Sequence, residues 1–97
     1  MNEQELLDKE FNRIVGEVLK SLRERKGYSL QQLSTKLKKP ISRQTLNKYE
    51  NNLSNIRNGT FIDVCTALGE EPQVVYEEIS LKFMRWVDKV KDNKFKK

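Results

Sequence analysis

The sequence contains no histidine and only one cysteine in 97 residues. Cys65 therefore has no partner for an internal disulfide, and no cysteine-based metal cluster can form. The chain also lacks a glycine-rich phosphate loop and a paired set of catalytic residues. We expect no enzymatic activity, no metal and no other cofactor. We interpret Cys65 as a buried core residue, with a redox switch as the alternative.

Long apolar runs are also missing. None approaches the roughly 20 residues that a membrane-spanning helix needs. The N-terminal segment is acidic and has no apolar signal-peptide region, so we expect neither secretion nor a membrane partner. The unpaired cysteine is typical of a reducing compartment, which predicts a cytoplasmic location. With 36% hydrophobic residues, the chain can build the small core of a single domain.

The positive charge is unevenly distributed along the chain. Residues 1–19 carry a net charge of 2 − 5 = −3, residues 20–58 carry 10 − 2 = +8, and residues 59–97 carry 7 − 7 = 0. A localised basic region is typical of a protein that binds a polyanion. The alternative is an ordinary solvated surface, because charge asymmetry alone is a weak signal.

Apolar residues recur at intervals of three and four almost throughout, which predicts an all-α fold. The first helix is expected from about Glu3 to Lys26, with Gly27 ending it. Ser29 is expected to cap the second helix, LQQLSTKLK, and Gln32 to complete a capping box. Pro40 ends that helix, because the residue before a proline is pushed out of helical geometry.

Three further helices are predicted. Ser42 caps the third, which has the sequence RQTLNKYEN. Thr60 caps the fourth, with Asp63 at its capping-box position. The fifth begins at Pro72 and is expected to fray in the terminal segment KDNKFKK. We interpret its lysines Lys94, Lys96 and Lys97 as a solvated tail, with an added DNA contact as the alternative.

The second and third helices are short, closely connected and surrounded by basic charge, a combination typical of a helix-turn-helix. In that motif the second helix enters the major groove of DNA. Leu46 and Tyr49 can pack inward, while long polar side chains on the other face can bond base edges. The alternative is an ordinary solvated helix face. The candidates for base contacts are Arg43, Gln44, Asn47 and Lys48.

Three segments carry a more specific pattern: LKSLRERKGYSLQQLSTKL, SRQTLNKYENN and TFIDVCTALGEEPQVVY. The matching positions are Arg23, Gly27, Ser29, Leu33-Ser34, Ser42, Thr45, Glu50 and Ala67-Leu68-Gly69. Together these segments resemble the phage repressor and Cro-type helix-turn-helix family, also called the XRE family, from roughly Phe11 to Tyr76. The resemblance implies a five-helix repressor-type domain with extended N-terminal and C-terminal helices.

The resemblance also implies roles for individual residues. The recognition helix would be residues 42–51, with Arg43, Gln44, Asn47 and Lys48 touching bases. Arg23 and Glu50 would form an ion pair that ties the first helix to the recognition helix. Ser29 and Asn51 match positions that bond phosphates in the family. The full set of expected phosphate contacts, which goes beyond those two matches, is Ser29, Gln31, Lys38, Lys39, Ser42, Thr45, Asn51 and Arg57.

The sequence departs from the family pattern in the connection before the recognition helix. The turn 38–41 is about two residues longer than usual, which either swings the recognition helix or brings lysines near a phosphate. Asn52 stands where the family usually has glycine, and asparagine is able to adopt the same left-handed conformation. Gly16, inside the first helix, is interpreted as a residue that packing tolerates.

The whole chain, residues 1–97, is expected to form one domain. Residues 11–76 would be the DNA-binding core, and residues 77–97 a C-terminal helix with a basic tail. That helix would either pair with a second copy across a two-fold axis or pack on the first helix around Leu6, Leu7 and Phe11. The expected dimer-interface residues are Ile79, Phe83, Trp86, Val87 and Val90.

These features predict a sequence-specific DNA-binding transcriptional regulator. The foremost hypothesis is a homodimeric repressor of phage, plasmid or mobile-element type that binds a (pseudo)palindromic operator. The alternatives are an antitoxin with a toxin partner and a controller of a restriction operon. The expected partners are double-stranded DNA and a second copy, with a protein antagonist or toxin as the alternative partner. Repression and activation need the same recognition helix, so the residues leave that choice open.

Overall fold

The computed structural model describes residues 2–95, with side chains described as far as Lys91. The described residues form helices and connections without a strand: α1 Glu3–Arg25, α2 Leu30–Lys36, α3 Arg43–Glu50, α4 Asn58–Ala67 and α5 Pro72–Phe95. The predicted all-α class, with five helices and extended terminal helices, is confirmed. None of these helices has the length and apolar character needed to cross a membrane. The solvated tail predicted at Lys94, Lys96 and Lys97 lies outside the described side chains.

Each of the first two helices begins after a polar residue whose side chain caps its first turn. The Asn2 side chain accepts a hydrogen bond from the Glu5 amide at 2.8 Å, and Gly27, just past α1, has a φ of 75°. Ser29 and Gln32 form the predicted capping box at α2. The expected end of α2 at Lys38 was wrong by two residues, because Leu37 adopts an extended backbone (ψ 143°) and buries its side chain in the core.

The predicted start of α4 was also wrong. The helix begins at Asn58, with Arg57 as an N-cap that makes no side-chain capping bond, so Thr60 lies inside the helix. Asp63 does not complete a capping box, because its two carboxylate oxygens accept hydrogen bonds from the backbone amides of Lys38 and Lys39, both at 3.0 Å. The carboxylate of α4 therefore holds the turn before α3.

The last helix starts at Pro72 as predicted, and its backbone is helical past Lys91, where the terminal segment was expected to leave the helix. It continues through Phe95, since residues 91–95 contain neither proline nor glycine to end it. Its core-facing stripe packs on the N-terminal half of α1. The Phe83 ring meets the Phe11 ring edge-on at 5.4 Å between centroids, and Trp86 stacks on Phe83 at 5.9 Å. We call the paired segments 2–13 of α1 and 80–91 of α5 the helical arm.

All five helices contribute to one hydrophobic core. Its buried members are Ile14, Val15, Val18, Leu19, Leu22, Leu33, Leu37, Leu46, Val64, Cys65, Leu68, Val75 and Ile79. The prediction that Ile79 forms a dimer interface is wrong, because its side chain is 0% exposed within the chain's own core. The prediction that Cys65 is a core residue is confirmed, and the same burial raises the pKa of its thiol to about 12, with a smaller contribution from Glu70. A thiol that stays protonated and buried is a poor redox switch.

Two helices approach each other closely at Gly16, where α1 meets the end of α3. A Cβ atom on Gly16 would lie 2.5 Å from the carbonyl oxygen of Tyr49 and 2.8 Å from that of Glu50. Both atoms belong to the backbone, so neither can move aside without shifting α3. The interpretation of Gly16 as a tolerated residue was wrong: the contact between α1 and α3 requires it.

We expect Gly16→Ala to lower the free energy of unfolding by about 1–3 kcal/mol, because the added methyl group forces the two helices apart. That loss would occur although alanine is intrinsically the better helix former by about 1 kcal/mol. Gly59→Ala is the matched control, since a Cβ on this helical glycine meets nothing within 4 Å. Urea unfolding of both variants measures the difference. A Gly16→Ala protein as stable as the Gly59→Ala protein would contradict the close contact.

Candidate nucleic-acid interface

The turn between α2 and α3 is fixed at both ends. Asp63 holds the Lys38 and Lys39 amides, as described above. Further along the turn, the Ser34 hydroxyl donates a hydrogen bond to the carbonyl oxygen of Ile41 at 2.5 Å. The Ile41 side chain also packs against the core. The lengthened turn is therefore an ordered connection that delivers the chain to the start of α3 in a defined position.

Local hydrogen bonds shape the first turn of α3. The Ser42 hydroxyl accepts from the Thr45 amide at 3.1 Å and lies 3.0 Å from the Thr45 hydroxyl. Leu46 is buried and Tyr49 is half-buried, as predicted for the inner side of this helix. Both predicted phosphate contacts here, Ser42 and Thr45, therefore also serve the cap.

The outer side of α3 presents the four predicted base-contacting residues. All four are exposed: Arg43, Gln44, Asn47 and Lys48. Gln44 and Lys48 lie opposite Leu46 on the helix, whereas Arg43 is exposed because it is the first residue of α3. Asn47 has an additional local role. The Asn51 side-chain amide donates to both the backbone oxygen and the side-chain oxygen of Asn47, at 2.8 Å each. The predicted base contact at Asn47 and the predicted phosphate contact at Asn51 are thus physically linked.

An ion pair ties the end of α3 to α1. The Arg23 guanidinium donates through Nε to Glu50 Oε2 at 2.7 Å and through Nη2 to Oε1 at 2.9 Å. Its Nη1 atom donates to the Tyr28 carbonyl oxygen at 2.7 Å. Hydrogen bonding to Glu50 raises the pKa of Arg23 above its ordinary value, against the opposing effect of burial. The two-bond geometry fixes the orientation as well as the distance between the helices.

The predicted phosphate-contacting residues all reach the surface. Those exposed are Ser29, Gln31, Lys38, Lys39, Ser42, Asn51 and Arg57, and Thr45 is half-buried. Lys39 and Arg57 line one open depression together with Gly59 and Thr60. This arrangement brings a cation of the turn next to a cation of the loop before α4. The loop itself follows Asn52, whose φ of 58° is the left-handed conformation predicted there.

Most of the central basic residues form no ion pair among the described side chains. Of the ten basic residues in 20–58, Arg23 alone forms an ion pair within the part of the chain that the structure describes. The remaining cations of that segment keep their field toward solvent. Such a field attracts a polyanion and accelerates its encounter with the protein.

Comparison with protein families agrees with this geometry. A helix-turn-helix family model matches residues 19–75, more than half of the 97 residues. The chain belongs to the XRE-type helix-turn-helix family. This helix-turn-helix chain is therefore a DNA-binding transcriptional regulator. A comparison with curated proteins found no match. The family match includes both motif helices and ends inside α5, so the whole helical arm, residues 2–13 and 80–91, lies outside it.

The sequence analysis missed Asp63 as a component of the helix-turn-helix. A physical signal for it exists in the sequence. A turn lengthened by about two residues presents extra backbone amides, which bond either water or a polar group of the chain. Asp63 is the only acidic residue between Glu50 and Glu70, and therefore the only carboxylate on α4.

We expect Glu50→Ala to lower the free energy of unfolding by about 3–5 kcal/mol, because it leaves the Arg23 charge without its partner at a largely buried site. Arg13→Ala is the control. Arg13 pairs with Glu10 and Glu17 along α1, but it is 44% exposed, and such surface pairs contribute about 0–1 kcal/mol. Chemical denaturation followed by circular dichroism measures both. Equal losses in the two variants would contradict the structural role of the Arg23–Glu50 pair.

Proposed function

We propose that this regulator is a homodimeric repressor, which covers a promoter by binding a (pseudo)palindromic operator through the recognition helix 42–51. The observation that carries the proposal is the two-sided character of α3. One side is fastened by Leu46 and by the Arg23–Glu50 pair, and the other presents only long polar side chains. A helix anchored in this way can enter the major groove without losing its position.

The base contacts are assigned to the outer residues of α3. Arg43 and Gln44 lie in the first turn, the part of a recognition helix that reaches the bases first. An arginine bonds guanine in bidentate fashion, and glutamine or asparagine bonds adenine in the same way. Asn47 and Lys48 extend this readout by one turn. Asn47 would do so with its side-chain oxygen already shared with Asn51.

The phosphate contacts are assigned to the groups that surround α3. Ser29 and Gln31 lie at the N-terminal end of α2, where backbone amides favour an anion. Lys38 and Lys39 of the turn and Arg57 before α4 supply point charges for the DNA backbone. The proposed set is Ser29, Gln31, Lys38, Lys39, Ser42, Thr45, Asn51 and Arg57. Such contacts orient the protein on DNA without reading sequence.

Dimerisation is assigned to the helical arm. The protein is elongated, with extents of 51 × 25 × 21 Å. Phe83 and Trp86 are half-buried against α1 and each other, Val87 is half-buried, and Val90 is 38% exposed. The arm has complementary charge on its two helices. The segment 2–13 of α1 carries 2 − 4 = −2, and the segment 80–91 of α5 carries 4 − 1 = +3. Two arms related by a two-fold axis could therefore pair the α1 of one copy with the α5 of the other.

We expect Arg43→Ala combined with Gln44→Ala to abolish the preference for a specific DNA sequence. The operator is selected from the DNA upstream of the protein's own coding sequence, and binding is followed by fluorescence anisotropy at several salt concentrations against scrambled DNA. Loss of two bidentate contacts at about 1–3 kcal/mol each should reduce the preference at least about thirtyfold. The matched control removes an exposed arginine from α1 and an exposed glutamine from α5, Arg25→Ala with Gln73→Ala, and should keep the preference.

Two outcomes would contradict the specific readout. One is equal, steeply salt-dependent binding of both DNAs by the unmodified protein, which indicates phosphate attraction alone. The other is a preference that survives in the Arg43 and Gln44 double variant, which would place the base contacts elsewhere on the surface.

We expect Val90→Glu to convert the dimer into a monomer, because it adds a buried charge to the apolar contact between two arms. Val74→Glu is the control, since Val74 lies on the same helix, on the side away from the core, and is 60% exposed. Sedimentation velocity measures the mass of each variant at matched concentration. A dimeric Val90→Glu protein, or an unmodified protein that sediments as a monomer, would contradict the assignment of the arm.

A further inference from the structure

The carboxylate of Asp63 is placed unusually for a residue in a DNA-binding region. Each of its oxygens accepts one backbone amide hydrogen bond, from Lys38 and from Lys39, at 3.0 Å. These partners lie 25 and 24 residues away along the chain, so the bonds join α4 to the turn before the recognition helix. Hydrogen bonds to a charged acceptor are roughly twice as strong as those between neutral groups. The turn is thus held by a two-point clamp.

Satisfying the two amides does not by itself require this clamp. Lys38 and Lys39 are exposed, so water could bond their amides equally well. What water cannot supply is a fixed direction for the backbone at two successive residues. That direction determines where both lysine side chains begin. It also governs the path through Ile41, whose carbonyl Ser34 holds, into the Ser42 cap of α3.

The position of Asp63 has an electrostatic cost. It lines the same depression as Lys39 and Arg57, two residues assigned to phosphates. A negative charge there opposes the approach of DNA. Its hydrogen bonds to the turn offer a physical reason for a carboxylate at this place, because a neutral side chain could not accept two amide bonds with the same strength.

We propose that Asp63 is a positioning residue for DNA binding, which clamps the backbone of Lys38 and Lys39 so that both lysines are presented to the DNA backbone beside α3. The proposal rests on the proposed function, and it assigns to Asp63 the role of holding the turn 38–41 in the conformation that binds DNA. It predicts that the lysines contribute fully to binding only while the carboxylate is in place.

The test is a double-mutant cycle that combines Asp63→Asn with the paired change Lys38→Ala and Lys39→Ala. Binding to the selected operator and to a scrambled duplex is measured by fluorescence anisotropy at several salt concentrations. In the unmodified background we expect loss of the two lysines to weaken binding about tenfold and to reduce the salt slope by nearly two, about one for each phosphate contact. In the Asp63→Asn background the same two lysine substitutions should weaken DNA binding by less than about threefold.

The sign of the single change is a second readout. By charge alone, removing a carboxylate should strengthen binding to a polyanion. Glu77→Gln, on the exposed surface of α5 outside the helical arm, makes the same change of charge away from the turn and controls for this effect. We expect Glu77→Gln to bind at least as tightly as the unmodified protein and Asp63→Asn to bind at least about threefold more weakly. Tighter DNA binding by Asp63→Asn would overturn the proposal. So would an equal loss of affinity in both backgrounds when the two lysines are replaced.

Amide hydrogen exchange in the free protein tests the clamp without DNA. We expect exchange at Lys38 and Lys39 to be at least about tenfold faster in Asp63→Asn, with exchange in the core of α1 unchanged. Unchanged exchange at the two lysines would overturn the proposal. Faster exchange throughout the chain would also overturn it, since Asp63 would then act on the whole fold. Failure of the proposed function is distinguishable: the unmodified protein would not prefer the operator, while the lysine coupling could still be measured on the scrambled duplex.

Discussion

The contact between α1 and the C-terminal end of α3 is the constraint on which the interface depends. Because Gly16 has no Cβ atom, the backbone of α3 can approach α1 more closely than any other residue would allow. The Arg23–Glu50 pair fixes the relative orientation of the two helices. The residues expected to read DNA are exposed on α3, and their side chains take no part in this contact. Their position relative to the core is therefore set by groups that never face the DNA. A helix of eight residues would otherwise be too short to hold its own direction.

Much of the fold could be predicted from the sequence because the relevant signals are local. The Ser29 and Gln32 capping box, the glycine after α1 and the proline at the start of α5 act on their immediate neighbours, and the structure has each of them where expected. Part of the outer face of α3 also follows from local spacing, since a helix that buries Leu46 turns Gln44 and Lys48 away from the core. Arg43 is exposed for a different reason, because it is the first residue of α3. The Arg23–Glu50 pair, by contrast, was inferred from family resemblance, because 27 residues separate the two partners.

The errors concern residues whose role depends on distant parts of the chain. Asp63 has a capping-box position by sequence, yet its carboxylate bonds a turn on another element. Gly16 is close to Tyr49 and Glu50 only after α3 has docked. Ile79 belongs to an apolar stripe that periodicity cannot divide between an intrachain core and an interface, and the core takes it. Periodicity identifies the buried face of a helix without identifying its neighbour.

The most direct test of the account is an amide chemical-shift titration of the labelled protein with its selected operator duplex. The account predicts that the largest changes fall on the exposed side of α3, residues 42–48, and on the segments around it, residues 29–31, 38–39 and 57–60. Amides on the side of α5 that carries Val74 and Leu81 should change little. Changes centred on the helical arm, with α3 unaffected, would contradict the assignment of α3 as the helix that reads DNA.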